Sequence, residues 1–363
     1  MLKKVMMIVF LAAVIGAFLF VKQAAFAPVE IRKPALDLQW QEATSTAPWP
    51  ARDAAAALVW QDKLWLMGGV NGGQGLVNNV KYWELPHYHD IWSSVDGTNW
   101  NQETGAAAWP ARRSLSVVPW PVASAPGEQD RLLMLGGWSP VGGYQSDIWL
   151  SSDGVNWELA TSSAAFPPRE GQTLTVFQNK LWLMGGINFD KRLVYNDVWS
   201  SLDGLNWMLV ASSTPWSGRY DHAVEVFQDR LWLTGGLAEG RANGEVWVSS
   251  DGQKWQLVTV KAPWGPRHGH ALLNWPAPVA GSGKLDRLWL ASGWDTDRNE
   301  GVSDVWFTTD GKNWLKPSSP APWPGREDHA ALIFRGELWL FAGMDAAWRW
   351  RNDVWRAKSV LAP

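Results

Sequence analysis

Residues 199–207 read Trp-Ser-Ser-Leu-Asp-Gly-Leu-Asn-Trp, and the same pattern returns along the chain. It consists of a tryptophan, three residues, an Asp-Gly pair, two residues and a second tryptophan. It occurs five times, with the tryptophan pairs Trp92/Trp100, Trp149/Trp157, Trp199/Trp207, Trp247/Trp255 and Trp306/Trp314. The repeats are about fifty residues apart, a period typical of folds in which each unit is one supersecondary element.

Each unit contains four short apolar segments separated by turn signals. In the unit that begins at Arg219, the first segment covers residues 219–227 and the second covers residues 231–236. The third contains Val246-Trp247, and the fourth begins at Trp255 after the Asp-Gly turn. Short β-rich segments bounded by Gly and Asp predict antiparallel strands, and four strands per unit predict one blade of a β-propeller.

The chain contains six such units. Each unit is opened by an arginine: Arg52, Arg112, Arg169, Arg219, Arg267 and Arg326. The sixth unit ends at its third segment, whereas residues 37–40 place a fourth-segment tryptophan ahead of the first unit. We therefore predict an all-β, six-bladed β-propeller with four-stranded antiparallel blades over residues 37–357, in which the N-terminal strand closes the last blade. Circular closure removes the exposed sheet edges that favour aggregation.

The Asp-Gly hairpin could take either of two registers. A two-residue loop would place the paired tryptophans on opposite faces of the blade. A three-residue loop with glycine in the left-handed conformation would set Trp92 directly across from Trp100. We predict the second register, because a cross-strand aromatic pair suits the close contact between blades.

The order of signals within a unit resembles the kelch repeat. An arginine, followed in several units by a histidine, opens the first strand, and an aromatic residue closes the unit. The second strand ends in Gly68-Gly69, Gly136-Gly137, Gly185-Gly186 and Gly235-Gly236, changed to Ser292-Gly293 and Ala342-Gly343 in the last two units. The resemblance covers residues 37–357 and implies a kelch-type propeller, similar to the galactose oxidase central domain and to bacterial exported kelch proteins. The hairpin over residues 94–100 also resembles the Asp-box of sialidases, which has one more residue between Asp and Gly.

The first 27 residues have the pattern of a targeting segment. Lys3 and Lys4 precede an uncharged, mostly apolar run over residues 5–21, and Ala25-Phe26-Ala27 is a candidate cleavage site. Residues 1–27 are therefore predicted to be a signal peptide or, alternatively, an uncleaved N-terminal membrane anchor. The propeller would then be exported, either periplasmic or anchored at the outer face of the inner membrane. Residues 28–36 are assigned to a linker and residues 358–363 to a C-terminal tail.

Composition disfavours several classes of partner. The chain has no cysteine, which excludes disulfides and thiolate metal sites. Its formal net charge is −3 and no Lys/Arg-rich run follows the N-terminus, so we predict no nucleic-acid partner. We predict membrane contact only through the N-terminal segment, and a monomer, because a closed propeller has few free edges. Thirty of the 363 residues are tryptophan, so a single tryptophan is weak evidence for a site.

The candidate binding face is the one that carries the leading arginines. The connection into the first strand and the loop between the second and third strands share this face, and the first strand is innermost. The six arginines are therefore predicted to surround the mouth of the central channel, where their positive field would suit a carboxylate, sulfate or phosphate. The alternative is a structural role, in which each arginine pairs with the carboxylate before the third strand: Asp90, Asp147, Asp197, Glu245, Asp304 and Asp353.

Positions at which the residue type differs between units add further candidate binding residues at the channel mouth. We assign to it Glu170, His222, His268, His270, Glu327 and His329. His222, His270 and His329 occupy one repeat position in three consecutive blades, but across blades they should be too far apart to share a metal ion. We therefore predict no metal site and no cofactor. The rim loops contribute Trp83, His87, Trp138, Tyr144, Arg192, Trp294, Trp348 and Trp350.

Three functions are compatible with these residues to different degrees. The first is a binding module that recognises a protein partner or an acidic glycan through the Arg- and aromatic-rich face. The second is a sugar-acting enzyme similar to the periplasmic kelch sialic acid mutarotases, in which a charged pair such as Arg169-Glu170 would move a proton. The third, a copper radical oxidase like galactose oxidase, needs a tyrosine cross-linked to a cysteine and is disfavoured because the chain has no cysteine. We predict the binding module, since no nucleophile elbow or phosphate loop is visible.

Overall fold

The computed structural model describes residues 36–73, 82–120, 130–279 and 283–361, which form a six-bladed β-propeller. Blades 1 to 4 each contain four antiparallel strands, in agreement with the predicted fold. From first to fourth these are Ala56–Trp60, Lys63–Met67, Ile91–Ser94 and Asn101–Thr104 in blade 1; Ser116–Trp120, Arg131–Leu135, Ile148–Ser151 and Glu158–Thr161 in blade 2; Thr173–Phe177, Lys180–Met184, Val198–Ser201 and Trp207–Ala211 in blade 3; and Ala223–Phe227, Arg230–Thr234, Val246–Ser249 and Gln256–Thr259 in blade 4.

Blade 5 has a shortened fourth strand. Its first three strands are Ala271–Asn274, Leu288–Ala291 and Val305–Thr308. The fourth is reduced to one antiparallel bridge, in which Phe307 and Leu315 exchange backbone hydrogen bonds of 2.8 and 2.9 Å. Pro317 follows two positions later and lacks the N–H that would extend the ladder.

Blade 6 is built from both ends of the described chain. Its strands are Ala330–Phe334, Glu337–Phe341, Val354–Leu361 and Leu36–Thr44. Leu36 pairs with Leu361, and Thr44 pairs with Val354, so the N-terminal strand supplies the fourth position as predicted. The third strand extends through residues 358–361, which the sequence analysis assigned to a tail.

The remaining regular structure is short. A 3₁₀ helix covers Tyr82–Glu84, and two-residue strands pair as Trp138–Ser139 with Gly143–Tyr144, Ile187–Asn188 with Leu193–Val194, Leu237–Ala238 with Arg241–Ala242, Ala277–Pro278 with Lys284–Leu285, Trp294–Asp295 with Glu300–Gly301, and Arg326–Glu327 with Met344–Asp345. The described ranges contain no helix long and apolar enough to cross a bilayer. The predicted targeting segment, residues 1–27, lies outside them.

Backbone hydrogen bonds join the six blades into a closed circle. The second glycine of each double glycine donates its N–H to the carbonyl of the arginine that opens the next blade, as Gly186 does to Arg219 at 2.8 Å. The circle closes where Gly343 of blade 6 donates to Arg52 of blade 1, also at 2.8 Å. A Cβ at Gly343 would lie 2.7 Å from the Glu327 carbonyl, and its φ is +91°. Glycine is therefore retained at this second position even in the units that lose the first glycine.

The hydrophobic core lies between neighbouring blades, in six clusters. Between blades 3 and 4, Trp182 of a second strand packs against the Asp-Gly hairpin of the next blade. A Cβ at Gly252 would lie 2.2 Å from Trp182 Cζ3, so only glycine leaves room for the indole ring. The same contact joins Gly97 to Trp339 and explains why the Asp-Gly pair recurs.

The predicted register of this hairpin is wrong. In blade 3, Trp199 pairs with Leu209, and the strands meet at Ser201 opposite Trp207, so residues 202–206 form a loop of five residues. Side chains organise this wider loop: Asp203 Oδ1 accepts the N–H groups of residues 205 and 206 at 2.9 and 2.7 Å, and Ser201 Oγ accepts the N–H of residue 204 at 2.8 Å. The carboxylate and hydroxyl satisfy the loop backbone, so a tight turn is not required.

Candidate functional site

The leading arginines are buried ion-pair partners inside the blades. In blade 3, Arg169 has no exposed surface and donates from Nη1 and Nη2 to Asp197 Oδ1 and Oδ2 at 2.6 and 2.8 Å. Nη1 also donates to the carbonyl of Gly185 at 2.8 Å, and the guanidinium lies 3.8 Å from the centroid of the Tyr195 ring. The group is therefore fully engaged by its own blade.

The same pairing recurs around the ring. The other pairs are Arg52 with Asp90, Arg112 with Asp147, Arg219 with Glu245, Arg267 with Asp304, and Arg326 with Asp353. All six arginines are at most 1% exposed, so their guanidiniums do not reach a ligand at the channel mouth, contrary to that prediction. Each has the structural role described as the alternative. The pair ties the first strand to the third within one blade, whereas the arginine carbonyl forms the bond between blades.

A cavity of about 220 Å³ opens at the centre of the propeller, and we call it the mouth cavity. Its polar lining includes the residue after each leading arginine in blades 2 to 6: Arg113, Glu170, Tyr220, His268 and Glu327. Phe189 and Trp348 add aromatic surface. Each polar lining residue forms an antiparallel bridge with the residue after the double glycine of its own blade, which holds its backbone in place.

Arg113 and Glu170 form a bidentate ion pair in the mouth cavity. Arg113 donates from Nε to Glu170 Oε2 at 2.9 Å and from Nη2 to Oε1 at 3.0 Å. Its Nη1 lies 3.3 Å from His87 Nε2, and its guanidinium lies 4.6 Å from the centroid of the Trp138 ring. Burial raises the pKa of Glu170, although Arg113 and the Tyr144 hydroxyl oppose the rise. Burial lowers the pKa of His87 to about 4, so its neutral ring can accept from Arg113.

His268 and Glu327 form a second polar pair in the mouth cavity. His268 Nδ1 lies 3.3 Å from Glu327 Oε2, but the contact lacks hydrogen-bond geometry. Burial lowers the pKa of His268 to about 4. Burial, followed by the charges of Asp328 and Asp53, raises the pKa of Glu327 well above its usual value. Burial therefore favours the neutral form of both groups, an imidazole and a carboxylic acid.

A ring of six residues, which we call the waist, separates the mouth cavity from an inner chamber. Its members stand two positions after the leading arginines and have φ between +48° and +65°: Ala54, Ser114, Gly171, Asp221, Gly269 and Asp328. Asp221 N–H donates to the Gly171 carbonyl, and Asp328 N–H donates to the Gly269 carbonyl, both at 2.9 Å. Asp221 and Asp328 line both cavities.

The inner chamber has a volume of about 180 Å³, and its lining includes three imidazoles, one amide and two carboxyls. The residues three positions after the arginines include Gln172, His222, His270 and His329. His222 Nε2 lies 3.2 Å from Thr173 Oγ1, and burial lowers the pKa of His222 and His329 to about 3. Burial therefore favours the neutral form of these two rings. Within the described part of the chain, no three His, Asp or Glu side chains are grouped to hold a metal ion.

The channel is acidic and not basic. The carboxyls of Asp53, Glu170, Asp221, Glu327 and Asp328 lie near one another, with Arg113 as their cation. Burial raises the pKa of Asp221, and the charge of Asp328 adds to the effect. Burial also raises the pKa of Asp328 to about 6. The positive field expected from the arginine ring is absent from the cavity, because each of those arginines is neutralised inside its blade.

The predicted rim residues take different places. Trp348 lines the mouth cavity and is 36% exposed, whereas Trp83, 56% exposed, and Arg192 are not among its lining residues. His87 and Trp138 contact Arg113, and the Tyr144 hydroxyl contacts Glu170. Trp294 and Trp350 are buried, 7% and 6% exposed respectively.

Several residues of the cavities were not among the predicted site residues: Arg113, Phe189, Tyr220, Asp221 and Asp328. Four of them stand one or two positions after a leading arginine, where the residue type changes from blade to blade. That variation was the available signal. A repeated residue maintains the fold in every blade, whereas a site on the axis requires a different side chain from each blade.

Comparison with known proteins supports the fold alone. No family model matches the chain, and no curated protein matches it significantly. A solved structure titled "Structure of YjhT" matches with a TM-score of 0.61 and 15% sequence identity, covering 86% of this chain and 96% of that chain. This likeness shows a shared propeller fold, and a shared fold does not by itself determine function.

Proposed function

We propose that the propeller is a kelch-type carbohydrate-binding module and that the mouth cavity binds one sugar unit of a glycan. The composition of the mouth cavity carries this proposal. Phe189 and Trp348 offer aromatic surface beside the polar groups of Arg113, Glu170 and Tyr220, in one concave site of about 220 Å³. An aromatic ring against the apolar face of a sugar, with a few fixed polar groups for its hydroxyls, is a general solution for such ligands.

The exposure of the aromatic rings supports the proposal. Most tryptophans of the repeat are buried between blades, as Trp182 is at 4% exposure. Phe189 is 53% exposed and Trp348 is 36% exposed, although burial of either ring would be favourable. Phe189 also makes an edge contact with Tyr220 at 5.7 Å between ring centroids, which orients it. These rings are therefore available to a ligand.

The charge of the mouth cavity favours a neutral or cationic glycan. Arg113 is already paired bidentately with Glu170, and Glu327 and Asp328 lie in the same lining. A ligand carboxylate would have to displace Glu170 from Arg113 while facing the other carboxyls. The acidic glycan suggested by the arginine ring is thus the less favourable ligand.

A sugar panel measured by thermal shift and titration calorimetry tests this function. We expect neutral and amino monosaccharides to raise the melting temperature, and Trp348→Ala and Phe189→Ala to weaken binding at least fivefold. Met208→Ala is the matched control, because Met208 is 65% exposed on an outer strand, away from the cavity. If no sugar of the panel binds and a protein is retained by the same face, the ligand of this face is a protein and not a glycan.

A sugar isomerase of the mutarotase type is the second candidate, and the His268–Glu327 pair favours it. A neutral imidazole 3.3 Å from a carboxyl of raised pKa can supply the acid and the base that opening a sugar ring requires. We expect that such an enzyme would accelerate the interconversion of sugar anomers, followed by NMR, and that Glu327→Gln would abolish the acceleration while retaining binding. If the anomerisation rate is unchanged although the sugar binds tightly, the protein is a binding module and not an isomerase.

The module is further proposed to act outside the cytoplasm as a monomer. Export rests on the sequence pattern of residues 1–27. Cell fractionation of the full chain should recover it from the periplasm or from the membrane, and its size should be that of one chain after detergent extraction. Recovery from the cytoplasm would contradict the targeting assignment.

A further inference from the structure

Blade 4 has a surface pocket at the end of its strands that carries the Asp-Gly hairpin, and we call it the blade-4 pocket. Its volume is about 250 Å³. Arg230 of the second strand, Lys254 of the hairpin and Gln256 of the fourth strand lie in its lining, and all three residues are exposed. The pocket shares no lining residue with the mouth cavity, so it is a separate candidate site.

The equivalent place in blade 2 is filled by a carboxylate of the chain itself. Arg131 and Arg230 each occupy the first position of a second strand. Glu158 and Gln256 each pair with the third residue of a third strand, so the two blades share one register here. In blade 2, Arg131 Nη2 donates to Glu158 Oε1 in an ion pair. Blade 2 therefore shows that a carboxylate fits beside an arginine at this position.

The arginine of blade 4 lacks such a carboxylate. Among the described residues, the Arg230 guanidinium has neither an ion pair nor a hydrogen bond. Blade 1 pairs the cation at this position with an acid, since Lys63 Nζ lies 3.9 Å from Glu103 Oε1. Blade 6 reverses the charges, with Glu337 Oε1 3.4 Å from Lys358 Nζ. Blades 1, 2 and 6 thus supply the opposite charge themselves, whereas Arg230 is open to an external one.

Lys254 adds a second cation to the pocket by departing from the repeat. The other four Asp-Gly hairpins have an asparagine at this position, whose side chain donates to the hairpin aspartate at 2.7 or 2.8 Å: Asn99, Asn156, Asn206 and Asn313. Lys254 does not form that bond, although Asp251 Oδ1 still accepts the N–H groups of residues 253 and 254 at 2.9 and 2.7 Å. One hairpin hydrogen bond is therefore exchanged for an ammonium group in the pocket.

The lining has a surplus of positive charge. Arg230 and Lys254 face one carboxylate, that of Asp251, whose Oδ1 is engaged by the hairpin N–H groups. Ser250 and Gln256 add a hydroxyl and an amide that can donate hydrogen bonds. A carboxylate accepts charge-assisted bonds from such donors. We infer that the blade-4 pocket binds the carboxylate of an acidic ligand through Arg230 and Lys254, in the place that Glu158 fills in blade 2.

This site goes beyond the proposed function and does not depend on it, because the mouth cavity lies at the other end of the strands. A volume of about 250 Å³ exceeds that of a carboxylate group alone. The group can therefore be carried by a small acidic body, such as a uronic acid unit. Acetate and glucuronate distinguish the two cases, since acetate offers the bare group and glucuronate offers the same group on a sugar ring.

Titration calorimetry on the full chain at low ionic strength tests the inference, because salt screens exposed charges. We expect acetate and glucuronate to bind at one site, and an excess of glucose not to displace acetate. Gln256→Glu supplies the internal carboxylate of blade 2, and Lys254→Asn restores the residue of the other hairpins. Each should weaken binding of both anions about tenfold, the cost of one charge-assisted hydrogen bond. Both variants should fold, since other blades carry these residues at the same positions.

Lys180→Gln is the matched control. Lys180 is the equivalent cation of blade 3, where the hairpin retains its asparagine, so this variant should bind both anions as the parent does. Tighter binding of glucuronate than of acetate assigns an acidic sugar to the pocket, and equal binding assigns the carboxylate group alone. Unweakened binding in Gln256→Glu, an equal loss in Lys180→Gln, displacement of acetate by glucose, or no anion binding overturns the inference. Glucose binding without anion binding supports the mouth cavity and overturns the blade-4 pocket.

Discussion

Removing one carboxylate from an arginine pair should destabilise the propeller strongly. The clearest case is Asp197→Ala, which leaves Arg169 charged and without any exposed surface. The change deletes two charge-assisted hydrogen bonds of 2.6 and 2.8 Å. Loss of one partner of a buried ion pair costs about 3–5 kcal/mol, because the remaining charge stays desolvated. Since the carbonyls of Gly185 and Pro167 still accept from Arg169, we expect the lower end, about 3 kcal/mol.

Urea denaturation followed by tryptophan fluorescence measures this loss. A cost of about 3 kcal/mol corresponds to roughly two powers of ten in the unfolding equilibrium constant. Asp62→Asn is the control, because the Asp62–Arg335 pair has the same chemistry with side chains 71% and 53% exposed, and asparagine tolerates the positive φ of residue 62, so the midpoint should stay unchanged. The double variant Arg169→Met/Asp197→Leu should recover much of the stability, because it removes both charges. If Asp197→Ala costs no more than the control, the buried Arg169–Asp197 pair does not stabilise blade 3.

Three further perturbations test the packing, the waist and the closure. Gly252→Ala should cost about 1–3 kcal/mol more than Gly240→Ala by the same denaturation, since both have φ near +70° but only Gly252 would place its Cβ 2.2 Å from Trp182. Burial raises the pKa of Asp328 from 3.8 to about 6 in the folded state, so the stability that its proton supplies should fall by about 3 kcal/mol as pH rises from about 4 through about 6. Asp328→Asn should flatten this pH profile. A chain that begins at residue 36 should fold cooperatively, whereas one that begins at residue 46 lacks the fourth strand of blade 6 and should lose cooperative melting or aggregate; equal melting of the two would refute closure by the N-terminal strand.

The channel shows how a repeat accommodates a site. The first position of each unit is an arginine in all six blades and serves the same ion pair each time. The next position holds Arg113, Glu170, Tyr220, His268 or Glu327, and these side chains meet in one cavity. A residue type that repeats in every blade therefore maintains the fold, whereas the next position, which differs between blades, forms the site. The reason is that one side chain from each blade meets at the propeller axis.

Local patterns were sufficient for the blade count and poor for the hairpin register. The six arginines and the Asp-Gly pairs required no knowledge of neighbouring blades, since each unit repeats the same contacts. The register of Trp199 opposite Leu209 depends on how Asp203 and Ser201 satisfy a five-residue loop. The spacing of the residues alone does not reveal that side chains stabilise the wider loop, because the sequence is the same for the three-residue loop and the five-residue loop.

By itself the sequence determined the all-β propeller, its six blades and its closure by the first strand, because each of these follows from a pattern repeated within short segments. Only the tertiary structure decided that the arginines turn inward to Asp197 and its equivalents, and that Asp221 and Asp328 meet at the waist. The physical reason is that the environment of a charge is set by groups far away in the chain. Arg113 and Glu170 are 57 residues apart and yet exchange two hydrogen bonds, so neither could be assigned a partner before the ring closed.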